Sequence, residues 1–151
     1  MAVFGLQIDF MNRLLKDYFG INNPTFNQNE IYIGLGLTQR GSQVNTEDFT
    51  EIFEGKPLGN YKRARAIFHK AIDNCILNEN QIVFNTASED WTTGTSLIER
   101  IGIFDTLDYE DSDGNLIKPL VVLELPIAEA VLKGETLLLA PGAIQLNLSD
   151  I

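Results

Sequence analysis

The sequence predicts a mainly β protein: an antiparallel β-sandwich, jelly-roll-like, with a short N-terminal α-helix. Three observations predict it. From residue 30 onward apolar residues recur with a period of two. Turn signals punctuate that pattern at short, regular spacing. Helical spacing is confined to the first twenty residues.

The helix is expected from about residue 4 to 19. Ile8, Met11, Leu15 and Tyr18 recur at offsets of three and four, Phe10, Leu14 and Phe19 widen the stripe, and Gly20 stands where a C-terminal cap would. A helix of that length is marginal alone, so it must dock on something. Asn22-Asn23-Pro24-Thr25 then breaks it. This divides the chain into a helix and connector, 1–29, and a sandwich domain, 30–151.

In the first strand, Ile31, Ile33, Leu35 and Leu37 alternate with Tyr32, Gly34 and Gly36, which leaves one small-residue face. Those glycines read as permitting close approach of another strand or of the helix. Residues 38–59 lack periodicity and hold four acidic side chains, three glycines and a proline. A loop of that length suggests a partner-facing segment or a surface excursion. Tyr61 to Phe68 alternates Ala64, Ala66 and Phe68 against Tyr61, Arg63 and Arg65. Asn74 to Thr86 reads as a hairpin, Cys75–Leu77 and Gln81–Phe84 about an Asn78-Glu79-Asn80 turn. Leu97 to Asp105 is a strong strand, and the acidic turn Asp111-Ser112-Asp113-Gly114-Asn115 leads into Leu116–Leu125. Lys133-Gly134 and Pro141-Gly142 punctuate Glu135–Leu139 and Ala143–Leu148. Seven or eight short strands of this kind favour a sandwich over a parallel α/β sheet.

Composition narrows the function. The chain has 151 residues, 11 Lys+Arg against 21 Asp+Glu, and a net charge of −10. Phosphate backbones and anionic membranes repel such a chain, so neither nucleic acid nor membrane is an expected partner. No stretch approaches the roughly 20 apolar residues of a membrane helix. Met1 to Phe10 has no basic residue and keeps Asp9, unlike a signal peptide, so synthesis in the cytoplasm is expected.

No catalytic constellation emerges. Cys75 and His69 are each the sole residue of their type, which excludes an internal disulfide and a Cys/His zinc set. No serine lies in a Gly-x-Ser-x-Gly turn, and a lone strand thiol is usually a small buried hydrophobe. Gly34-Leu35-Gly36 has no following lysine or helix and matches no phosphate loop. Asp105, Asp108, Glu110, Asp111 and Asp113 form the best all-oxygen cation candidate. Aligning Gly114 with the glycine of a helix-loop-helix calcium site puts Tyr109 at its first ligand and Leu120 at its closing glutamate. The turn therefore reads as a solvated hairpin tip, and no metal or cofactor is expected. Trp91 could stack a sugar or anchor the core, and the core is the favoured reading. Lys62, Arg63, Arg65 and Lys70 read as a basic stripe for an acidic neighbouring subunit.

Several segments together carry a resemblance. They are Tyr32-Ile33-Gly34-Leu35, Tyr61-Lys62-Arg63-Ala64, Asn85-Thr86-Ala87 before Asp90-Trp91, Ile101-Gly102-Ile103-Phe104-Asp105, Gly114-Asn115-Leu116, Pro126 through Leu137, and Gly142-Ala143-Ile144. With the preceding helix, this pattern resembles the small tailed-bacteriophage virion proteins often labelled tail fibre proteins. The chain departs from them at 38–59, where the family usually has a shorter Asp-Pro turn. The resemblance implies a β-sandwich without catalytic residues. It implies a non-enzymatic virion protein of the capsid or the tail; because one globular unit of 151 residues cannot span far, capsid decoration or cement is expected ahead of a tail or tail-fibre component. Other virion proteins would be its partners, and a homotrimer would fill a threefold position of the shell. The expected assembly contacts are Ile8, Met11, Leu15 and Tyr18 of the helix, with Arg63 and Arg65. A carbohydrate- or receptor-binding module, built on Trp91 and the acidic turn, is the reading from another class.

Overall fold

A computed structural model describes residues 4–6, 30–37, 46–52, 59–72 and 75–147. The described residues form ten strands: β1 (Phe4–Leu6), β2 (Tyr32–Leu37), β3 (Ala64–Arg65), β4 (Phe68–Ile72), β5 (Cys75–Asn78), β6 (Ile82–Val83), β7 (Ile98–Phe104), β8 (Val121–Glu129), β9 (Leu138–Leu139) and β10 (Gln145–Asn147). All pairings are antiparallel. They make a five-stranded sheet in the order β1-β8-β7-β2-β3, a three-stranded sheet β10-β5-β4, and a two-stranded ribbon β6-β9. The mainly β, antiparallel expectation holds.

The central strands β2 and β7 show why. Gly34 pairs with Gly102, Ile33 with Ile103 and Leu35 with Ile101. Period two therefore puts every branched side chain on one face and every glycine on the other. Ile33, Leu35, Ile101, Ile103, Val121 and Leu123 form the main core with Ile82, Phe84, Trp91, Val131 and Ile144. Elements of all three sheets thus share one apolar interior, each large aliphatic contributing about 1.5–3 kcal/mol of burial.

The opposite face is buried too. Phe49, Phe104 and Val122 cover it, with Tyr32 and Ile117 against them. The glycines make this cover fit. A Cβ on Gly34 would lie 2.7 Å from both Glu51 Oε2 and Phe104 Cε2, and one on Gly36 would lie 2.5 Å from Phe49 Cε2. They admit two aromatic rings and a carboxylate, in place of the strand or helix expected there.

Four expectations are corrected. Phe4–Leu6 is a strand, with Phe4 opposite Leu123 and Leu6 opposite Val121, where the helix was expected to start. The edge of β8 offers backbone partners there, and the helical stripe begins only at Ile8. The rest of that helix, with Ile8, Met11, Leu15 and Tyr18, lies outside the described residues. The 75–84 hairpin does not form, because β5 pairs with β4 and β10 while β6 pairs with β9. Asn78 decides this: its Oδ1 accepts from Ile144 N at 2.8 Å, and its amide donates to Asn80 O and Ala140 O at 2.9 and 3.0 Å. A fully buried amide with three bonds is a clamp between distant segments and cannot serve as a turn tip. The alternation over 61–68 also slips by one residue, since Tyr61, Arg63, Ala64 and Ala66 are buried while Lys62, Arg65 and Ile67 are exposed.

The last correction concerns residues 38–59. Within that stretch, Phe49, Glu51 and Ile52 are buried, and Glu51 bridges Gly36. Leu37 N donates to Thr50 O at 2.9 Å and Ile52 N to Leu35 O at 3.0 Å, so 50–52 continues the edge of β2 that β3 begins. Gly34→Ala is expected to cost about 1–3 kcal/mol, because its new Cβ meets a carboxylate and a ring that are both fixed. Thermal unfolding followed by circular dichroism measures this, with the exposed Ala140→Gly as a near-neutral control.

Candidate functional site

Polar chemistry concentrates where residues 50–52 and Tyr61–Arg63 meet the glycine face. Leu35 N falls in the gap between the part of β2 paired with β3 and the part paired with 50–52. The Tyr61 hydroxyl fills that gap, accepting from Leu35 N at 2.9 Å and donating to Glu51 Oε2 at 2.7 Å. Arg63 grips the same carboxylate with two nitrogens: Nη2 donates to Oε1 at 2.8 Å and Nε to Oε2 at 3.1 Å. Its remaining amine, Nη1, donates to the carbonyls of Thr106 and Asp108, both at 2.8 Å.

Aromatic rings enclose the pair. The guanidinium lies 3.5 Å from the Phe104 ring centroid and 4.9 Å from that of Tyr109, both within cation–π range. Tyr61 meets Trp91 edge-on at 5.4 Å and stacks near Phe84 at 6.5 Å. The Arg63 and Glu51 side chains are only 1% and 8% exposed. Burial, then the neighbouring Glu51 charge, pushes the Tyr61 hydroxyl well above its ordinary range. The same two causes, opposed by Arg63, push Tyr109 up to about 12. With each group saturated by partners, the cluster is built to hold three chain segments together, and Tyr61 stays a proton donor at neutral pH.

The sequence-flagged residues have separated. Arg63 was expected on a surface stripe; it is buried, because Glu51 and two carbonyls satisfy it inside. Lys62 and Arg65 remain exposed, and the side chain of Lys70 lies outside the described residues. Trp91 is 3% exposed in the main core, so its ring offers no face to a sugar. His69 is an exposed residue of β4 opposite Leu77. In the acidic turn, Asp111 Oδ1 accepts from Asp113 N and Asn115 N, both at 2.9 Å, and Gly114 takes φ 80°. That is a side-chain-capped hairpin tip. Among the described residues no three Asp, Glu, His or Cys side chains converge as metal ligands, and no helix is long and apolar enough to cross a membrane.

Sequence reasoning missed Glu51, Phe49 and the clamping asparagines. Glu51 stands in a polar, aperiodic stretch, and its one local signal is the Phe49-Thr50-Glu51-Ile52 pattern. Asn60 repeats the clamp: its Oδ1 accepts from Ser88 N at 3.0 Å, its amide donates to Thr86 O, and its carbonyl accepts from Asn85 Nδ2 at 2.7 Å. Comparison with protein-family models and with curated proteins gives no match.

Two outcomes follow from this geometry. Arg63→Met is expected to cost about 3–5 kcal/mol, by stranding Glu51 in the interior. The pair Glu51→Leu with Arg63→Met should cost less than the sum of the two single changes, which a denaturant double-mutant cycle resolves. The second outcome concerns alkaline pH. Tyr61 and Tyr109 hold their protons above the ordinary tyrosine value of about 10, so above that pH the unfolded chain releases protons that the fold retains. The contribution of these two tyrosines to stability is therefore fully present below a pH of about 10 and is lost as pH rises through the folded values. Tyr61→Phe should be less stable at neutral pH but lose less on going alkaline, read from urea midpoints across that range.

Proposed function

We propose that this chain is a non-enzymatic structural protein of a tailed-phage virion, with its sheets stacked as a jelly-roll-like β-sandwich. Its place is the capsid surface, as a decoration or cement protein, and its partners are other virion proteins and further copies of itself.

One observation carries this reading: most of the segments behind the family resemblance meet one another in the framework of the fold, while Gly114-Asn115-Leu116 stands at an exposed turn. Tyr32–Leu35 supplies the glycine face and the backbone amide that Tyr61 caps. Tyr61–Ala64 supplies the aromatic and the guanidinium that hold Glu51. Ile101–Asp105 lies in register beside Tyr32–Leu35. Asn85–Ala87 bonds to Asn60, and Ala87 exchanges backbone bonds with Glu135 and Gly134. Ile144 and Gly142 close on Asn78. A shared pattern made of framework contacts points to a shared fold more than to shared chemistry. The polar groups nearest to an active-site constellation, Glu51, Tyr61 and Arg63, are saturated and closed to solvent.

Quantitative mass spectrometry of gradient-purified particles from cells making this protein tests the assignment. A copy number on the order of hundreds per particle places the chain on the shell, where threefold positions repeat many times. A handful of copies would mean a tail or tail-fibre component, and absence from purified particles would refute the virion assignment.

A further inference from the structure

Two exposed surfaces of this chain complement each other in both charge and polarity. The first is the outer side of the β6-β9 ribbon and the segment beside it. Val83 and Leu138 stand opposite each other in register, 52% and 49% exposed. Gln81, Asn85, Thr136 and Ala140 complete an exposed face with no charge on it. Asn80 ties the neighbouring segment to the start of this ribbon: its Oδ1 accepts from Ile67 N at 2.8 Å, and its amide donates to Arg65 O at 3.1 Å. Ile67, 41% exposed, and the exposed Arg65 therefore border the ribbon, and the exposed Lys62 follows Asn60, whose carbonyl accepts from Asn85 Nδ2 at 2.7 Å. In a chain of net charge −10, this is an apolar patch with two basic residues, Lys62 and Arg65, on its rim, beside the exposed Glu79 whose N donates to Ile67 O.

The second surface is the hairpin around the 111–115 turn, where Glu110 bridges Leu116. Leu107 and Leu116 are 51% and 39% exposed there, among the exposed carboxylates of Asp108, Glu110, Asp111 and Asp113. Arg63 fixes its root through Thr106 O and Asp108 O, and Asp111 caps its tip, so the hairpin is preorganised. Each surface offers apolar area to the other, and each rim carries the charge the other lacks.

We propose that the acidic hairpin of one copy docks on the basic-rimmed ribbon of a second copy of this chain. Val83, Leu138 and Ile67 receive Leu107 and Leu116, and Lys62 and Arg65 face Glu110 and Asp113. Because the two surfaces differ, successive contacts of this kind either close into a ring or continue as a chain of subunits. The contact stands independently of the virion reading: purified protein that associates this way but is missing from particles overturns that reading alone.

Sedimentation velocity of the full chain over a concentration series tests the contact, with circular dichroism confirming that each variant is folded. The basic arm is reversed by Lys62→Glu with Arg65→Glu, and the acidic arm by Glu110→Lys with Asp113→Lys. Either arm alone should raise the concentration needed for association by about tenfold or more, and the two together should restore it to near the wild-type value. Leu138→Asp should weaken association as strongly as either arm. A wild-type chain that stays monomeric to about 0.1 mM overturns the proposal. So does a four-fold variant that associates no better than one reversed arm, or Leu138→Asp associating like wild type.

Discussion

The bonded pair of Glu51 and Arg63 is the constraint on which the rest of the structure depends. Moving both charges out of water costs several kcal/mol each, and their mutual attraction alone does not reliably offset this. Here the balance is met by saturation. The carboxylate accepts from Tyr61 and from two nitrogens of Arg63, and the guanidinium also reaches two backbone carbonyls and an aromatic face. The groups come from three stretches of chain, around Glu51, Tyr61–Arg63 and Phe104–Asp108, so satisfying the pair also fixes those stretches relative to one another.

The glycines of β2 and β7 are the other half of the same constraint. Gly34 and Gly102 let a carboxylate and two rings approach a sheet face closer than any side chain would permit. The five-stranded sheet is consequently covered on both faces, by aliphatic residues on one and by aromatic and charged residues on the other. An antiparallel sheet with one wet face would not need this, and Phe104 and Val122 would then have stayed partly exposed.

Burial also redistributes charge. Arg63 and Arg100 are both inside, at 5% and 4% exposed, which removes two of eleven basic residues from a surface already short of them. The exposed basic side chains Lys62 and Arg65 then stand out against an acidic exterior. Interior packing and surface charge are coupled through this one segment, which sends Tyr61, Arg63 and Ala64 inward and Lys62 and Arg65 outward. A structural role in a large assembly suits such a molecule, with its polar groups committed to the framework and its apolar and charged patches facing outward.

The β class, the Leu97–Asp105 strand and the alternation over Ile31–Leu37 follow from the sequence alone, because period-two burial is a local property of the chain. So does the acidic turn, whose Asp and Gly bond only to near neighbours. Tertiary structure decided the rest. The start of the chain joins a sheet edge that no nearby residue announces. Asn78 clamps a segment more than sixty residues away, so its turn-like composition misleads. Glu51 gains meaning only beside Tyr61 and Arg63, and Arg63 moves from an apparent surface stripe to the interior for the same reason. Composition and spacing record which groups a chain has to satisfy, whereas the partners that satisfy a buried charge come from segments that only the complete fold brings together.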